Sequence, residues 1–210
     1  MAQKLKDDQR NKILEAAKQE FLEKGYKEAS LRHIALKAHM TVGNLYRYFD
    51  SKEDLNDKIC EPCLLAIESL LNKETNNQLS FFKDNIDFKM NEKEMLVVID
   101  NIIDNIIDIF DKYPNEFLIL MMDSDLNNSL KSWFSNLISI LINNNYLVSE
   151  INKDKLSLMS NVYACSTIYG FRELLEHESN IDMLKILSKV YFRSYVFMLN
   201  SDIEKMINSI

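Results

Sequence analysis

Glycine and proline are nearly missing from this chain, three and two among 210 residues, where average usage is roughly 12% for the pair. A β-sandwich or barrel needs turn residues at every corner, so the scarcity excludes both. The glycines, Gly25, Gly43 and Gly170, stand too far apart to build a GxGxxG or GxxxxGKS/T phosphate loop. Three cysteines are too few, and odd in number, for a disulfide framework; they point to a reducing, cytoplasmic setting. The first six residues are polar and lack the apolar stretch of a signal peptide. No apolar run reaches the roughly 18 residues of a membrane span, so no membrane partner is expected. The longest candidate, around residues 99–110, is broken by Asp100, Asp104 and Asp108. What remains is an all-α chain, 47% hydrophobic and 27% charged, long enough to bury roughly 70% of its unfolded surface.

The net charge of −7 is unevenly spread. Residues 1–60 carry 12 Lys/Arg against 10 Asp/Glu, whereas residues 61–210 carry 13 against 22. Between residues 31 and 49 stand Arg32, Lys37, Arg47 and two histidines, with no acid. A basic stretch inside an acidic protein hints at phosphate contact, and the acidic remainder is unsuited to lying on DNA.

Periodicity organises the chain into helices. Ile13, Leu14, Ala17 and Phe21 predict a first helix over about 8–24, with Gly25 at a left-handed C-terminal position. Ser30 caps a short helix with Leu31, Ile34, Ala35 and Ala38 on its apolar face. After the tight turn at His39-Met40, Thr41 caps a third helix, from Val42 to about Phe49. Ser51 caps a fourth that begins at Lys52 and keeps its apolar period through Pro62, where a kink is expected. Residues 72–90 are polar and aperiodic and read as a loop or small hairpin. Residues 95–110 form the cleanest amphipathic pattern, with Asp100, Asp104, Asp108 and Asp111 opposite the apolar stripe; the aspartates read as a solvated face. Pro114 opens a short helix, a further helix is expected over about 130–141, and two long helices close the chain, about 153–176 and 181–206. In the last one the polar stripe is Lys185, Lys189 and Arg193, and apolar residues cover nearly all the rest. Such a helix is covered on two sides, either by its own subunit and a partner through residues such as Val190 and Phe197, or wholly within the monomer.

A capped helix, a tight turn and a second capped helix within about 20 residues form a helix-turn-helix. Leu31, Ile34, Ala35, Ala38, Met40, Leu45 and Phe49 would pack inward. Thr41, Val42, Gly43, Asn44, Tyr46 and Arg47 would face outward, with an amide able to read a base edge and donors for phosphates. At this point the sequence resembles the TetR-type bacterial transcriptional regulators over about residues 9–57. The matching words are Ile13-Leu14-Glu15-Ala16-Ala17, Phe21, Gly25-Tyr26, Ser30-Leu31-Arg32-His33-Ile34-Ala35, Gly43-Asn44-Leu45-Tyr46-Arg47-Tyr48-Phe49 and Ser51-Lys52-Glu53-Asp54-Leu55. The resemblance implies that Ser30 and Thr41 cap their helices and touch phosphates, that Arg32 reaches DNA from the bracing helix, and that Val42, Gly43 and Asn44 face the bases. It implies backbone contacts for Tyr46 and Tyr48 and a phosphate contact for Lys52. His39 stands where the family often has glycine, so a left-handed non-glycine residue is expected; Val42 stands where a basic residue is common.

The resemblance further implies a DNA-binding domain over residues 1–57 and a helical effector-binding and dimerisation domain over 58–210. The partners it implies are a palindromic double-stranded operator, a second copy of the chain, and a small apolar or amphipathic effector that releases a repressor. Phe110, Met121, Met122, Trp133, Tyr163 and Tyr169 are candidates to line the effector cavity. Sparse Lys and Arg in residues 91–180 disfavour a phosphate-bearing effector. No catalytic set, metal site or cofactor site is visible, although a helical enzyme or ligand carrier is the alternative function. Cys60 and Cys63 form a CxxC, but with no preceding strand and no second CxxC neither a thioredoxin-like nor a zinc reading is supported.

Overall fold

The computed structural model describes the backbone of residues 2–84, 92–122 and 153–200, together with Ser135. Among the described residues all regular structure is helical. Helix α1 (Ala2–Glu28) leaves helical geometry at Gly25, whose φ of 72° and ψ of 160° lie in a region open in practice to glycine alone. Next come α2 (Leu31–Lys37), α3 (Val42–Leu45), α4 (Lys52–Asp84), α5 (Glu92–Lys112), α6 (Pro114–Met122), α7 (Lys153–His177) and α8 (Ile181–Asn200). No described helix is long and apolar enough to cross a membrane.

Three expectations are corrected. First, residues 72–84 belong to α4 rather than to a loop. Once a helix is nucleated, each added residue costs little, and nothing in this stretch except its polarity argued against continuation. The helix also runs on through Pro62. Second, α3 has only four residues in α geometry; beyond it the chain tightens, with Arg47 N–H bonded to Asn44 O and Tyr48 N–H to Leu45 O. Third, the aspartates of α5 do not simply face water. Asp100 binds Arg193, Asp104 binds Lys189 at 2.7 Å and Asp108 binds Lys185 at 2.6 Å. The acidic stripe of α5 thus meets the basic stripe of α8 in three consecutive rungs. Apart from Ser135, the helix expected over 130–141 lies outside the described residues, as do 201–206.

Helices α1 and α6 pack together, α4 lies against α1, α5 and α6, and α8 lies between α5 and α7. The two chain halves are therefore continuous through α4, which crosses the division expected at residue 57. A backbone without a side chain sets the approach of α7 to α8. A Cβ on Gly170 would lie 2.6 Å from Tyr191 Cζ, and the Tyr191 hydroxyl donates to Ser166 O at 3.0 Å. The same hydroxyl meets Tyr195 Oη at 3.1 Å. Burial and the Tyr195 hydroxyl together push the Tyr191 pKa well above its ordinary 10.0.

Gly170→Ala should therefore destabilise the wild-type chain even though alanine gains about 1 kcal/mol of helix propensity over glycine. In a Tyr191→Ala background, with the ring gone, the same change should stabilise. Urea unfolding of the double-mutant cycle checks this reversal of sign.

Candidate nucleic-acid interface

The head is assembled from pieces too short to stand alone, and caps define each of them. Ser30 Oγ accepts from Arg32 N–H at 3.3 Å, Thr41 Oγ1 from Asn44 N–H at 3.2 Å and Ser51 Oγ from Asp54 N–H at 3.1 Å. His39, in the turn, adopts a φ of 56°, so the left-handed non-glycine residue expected from the sequence is present. Ile34, Ala35, Ala38, Leu45 and Phe49 are buried, and Leu31, Met40 and Val42 pack against that core. Arg10 of α1 lies over the Phe49 ring, 5.3 Å from its centroid.

Outward from this core stand Arg32, Thr41, Gly43 and Arg47, all exposed, with Tyr46 51% exposed. Ser30, Val42 and Asn44 are half-buried. Tyr48 is half-buried and packs against the core, so of the two tyrosines Tyr46 is the one presented to solvent. The residues not buried in this core thus include two guanidinium groups, an amide, a phenol and a hydroxyl, with an exposed glycine among them.

Lys52 is placed differently. Its ammonium donates to the carbonyls of Tyr26, Lys27 and Ala29 at 2.8, 3.2 and 3.2 Å. It also sits 4.6 Å from the centroid of the Tyr26 ring, while the Tyr26 hydroxyl donates to Glu53 Oε1 at 2.9 Å.

Sequence reasoning missed Glu20. Its side chain is 2% exposed and pairs with Lys37 at 2.9 Å, with His33 Nδ1 3.2 Å away. Burial pushes its pKa up, but the Lys37 ammonium, His33 and a backbone hydrogen bond with Ser30 outweigh that and hold the carboxyl below its ordinary 4.5. Lys37 also pairs with Glu23 at 2.7 Å. The signal was available: Glu20 lies three residues after Ala17 and seven after Ile13, on the apolar stripe of α1.

Elsewhere the remaining candidates differ in burial. Phe110 and Met121 are buried, Met122 and Tyr163 half-buried, and Phe110 meets Phe117 edge-on at 5.8 Å. Tyr169 departs from its expected place: it is 60% exposed and shares an outward face of α7 with Leu158 and Val162, four and seven residues apart in turn. Trp133 lies outside the described residues. On α8, Val190 and Phe197 are 62% and 53% exposed, with Met183 and Ile186 on the same face. The alternative in which α8 is wholly enclosed by its own subunit is therefore wrong for its described residues. Cys60 and Cys63 are buried and form no disulfide, and burial, reinforced by Glu116, pushes Cys63 up to about 12, which keeps the Cys63 thiol protonated at neutral pH.

Residues 13–59 match the profile of the bacterial regulatory proteins, tetR family. Residues 13–59 therefore carry the N-terminal, DNA-binding domain of that family of transcriptional regulators. None of the curated proteins matches this chain. Solved structures described as TetR-family regulators are similar at low level. One from Mesorhizobium loti MAFF303099 is 15% identical with a TM-score of 0.43, covering 91% of this chain and 96% of that one. One from Streptomyces coelicolor A3 is 15% identical with a TM-score of 0.41, covering 92% and 95%. One from Shewanella sp. PV-4 is 17% identical with a TM-score of 0.39, covering 91% and 95%. Scores this low add nothing to the match of the head.

Because folding depresses the Glu20 pKa, its contribution to stability is complete above its unfolded value and is lost as pH falls through the carboxylate range below about 4.5. Glu20→Gln should cost about 1–3 kcal/mol at pH 7 and should flatten the acid limb of stability against pH. Urea unfolding between pH 7 and pH 3 measures both.

Proposed function

We propose that the chain is a homodimeric repressor that holds a palindromic operator and is released from it by a small apolar or amphipathic molecule. The observation that carries this reading is the capped helix pair, whose stretch 31–49 contains no acid and leaves Arg32, Thr41, Gly43, Tyr46 and Arg47 exposed, with Asn44 half-buried. Val42, Gly43 and Asn44 would face base edges, and Ser30, Arg32, Thr41, Tyr46 and Arg47 would meet phosphates, with Tyr48 supporting from the core side. Such a protein works beside the chromosome, in the cytoplasm, and needs no catalytic group.

Two copies are supported by the open apolar faces of α7 and α8. Leu158, Val162 and Tyr169 on one helix and Met183, Ile186, Val190 and Phe197 on the other expose large side chains that a second copy would cover. Inside, Phe110, Met121, Met122 and Tyr163, contributed by three helices, are suited to an apolar ligand oriented by a few hydroxyls. A compound that binds one spacing of the two heads better than the other must lose affinity when operator is bound. The scarcity of Lys and Arg around these helices favours a neutral or cationic compound over an anionic one.

Selection from a random duplex pool tests the reading, which predicts recovery of a two-fold symmetric site bound less tightly as salt rises. Asn44→Ala should cost about 1–3 kcal/mol and shift the preferred bases. Failure to enrich any sequence would overturn the reading.

Val190→Glu should place an unpaired carboxylate in the dimer interface, an arrangement that strongly destabilises it. Sedimentation velocity should then show monomers, with operator binding lost in parallel. A wild-type protein that is monomeric at micromolar concentration would refute the dimer.

A further inference from the structure

An ammonium has three N–H donors and no acceptor. Those of Lys52 lie within hydrogen-bond distance of three carbonyls, Tyr26, Lys27 and Ala29, where α1 ends and the chain turns toward the Ser30 cap of α2. The positive N-terminal end of α4, where Lys52 begins the helix, repels a cation, whereas the negative carbonyl end of a helix attracts one. The face of the Tyr26 ring adds a further attraction. Gly25 has just taken the chain out of helical geometry, and the Lys52 ammonium is one donor that these three carbonyls share. A phosphate contact by Lys52 would have to break at least one of the three bonds.

We propose that Lys52 is a positioning residue: it clasps the end of α1 to the start of α4 and so sets the angle at which α2 and α3 meet DNA, rather than binding a phosphate itself. This rests on the DNA-binding reading above. Charge alone does not satisfy the arrangement, because a planar guanidinium cannot direct donors to three carbonyls gathered around one nitrogen.

The test uses the full-length chain as wild type, Lys52→Met and Lys52→Arg, each confirmed helical by circular dichroism. The probe is the duplex that the wild-type protein selects from a random pool. Hydrogen exchange is read at Ala29 N–H, which bonds Gly25 O, and at Arg32 N–H, which bonds Ser30 Oγ. Both variants should exchange faster at these amides. Both should lose roughly tenfold in affinity, the equivalent of about 1.4 kcal/mol, with the slope of log affinity against log salt unchanged. A direct phosphate ligand would behave otherwise: Lys52→Arg would keep wild-type affinity, Lys52→Met would lower the salt slope by about one, and exchange would not change. That result overturns the proposal, and so does unchanged exchange in both variants. If the wild type enriches no duplex, the DNA-binding reading falls and the positioning role with it. Exchange at Ala29 then still shows whether the clasp exists, so the two failures are distinguishable.

Discussion

Seven residues of α2 and four of α3 cannot hold helical geometry in water by themselves, because nucleation costs more than so few hydrogen bonds return. Everything the head presents outward depends on burying one side of each against α1. Ile34, Ala35, Ala38, Leu45 and Phe49 supply the apolar part of that burial. Glu20 supplies the polar part, reaching from α1 to His33 and Lys37 at successive turns of α2. An ion pair with one member this deeply buried adds little net stability over a hydrophobic contact of the same size. It does fix how α2 is turned on α1, since only one rotation brings both partners to the carboxylate. That rotation decides which side of α2 and α3 meets solvent.

The head in turn is not separate from the body. Helix α6 touches α1, α4, α5 and α7. Lys18 of α1 pairs with Glu116 in its first turn at 2.7 Å, and both side chains are largely covered. Glu116 also bears on Cys63 of α4. Among the described residues, these contacts and α4 connect the body to the head. For either route to regulate binding, the contacts must have two arrangements that a ligand and DNA favour differently.

Helix α8 shows how one element serves three surroundings. Leu184, Ser188 and Phe192 are buried in the core, Lys185, Lys189 and Arg193 meet the aspartates of α5, and Met183, Ile186, Val190 and Phe197 are left outward. The rungs to α5 are partly exposed, so each contributes modestly. Their regular spacing nevertheless fixes the register of α8 on α5, and with it the direction of the open apolar face.

The sequence by itself determined what is local. The starts of α2, α3 and α4 were written in a hydroxyl residue at each cap, the turn in His39-Met40, and the inward residues in their 3.6 period, because caps, turns and amphipathic stripes are satisfied within a few residues along the chain. The motif words around Asn44 and Lys52 were legible for the same reason. The tertiary structure alone decided what those groups meet. The aspartates of α5 read as solvated because their partners lie 77 to 93 residues away, and no local rule pairs stripes so distant. Glu20 stood on an apolar stripe whose meaning depended on the cations of a different helix. Tyr169 faces outward because α8 occupies the side of α7 around Gly170. Lys52, by its position in the motif a ligand for phosphate, is drawn to carbonyls 23 to 26 residues earlier. Electrostatic and packing partners are set by distance in space, and only the fold fixes that distance.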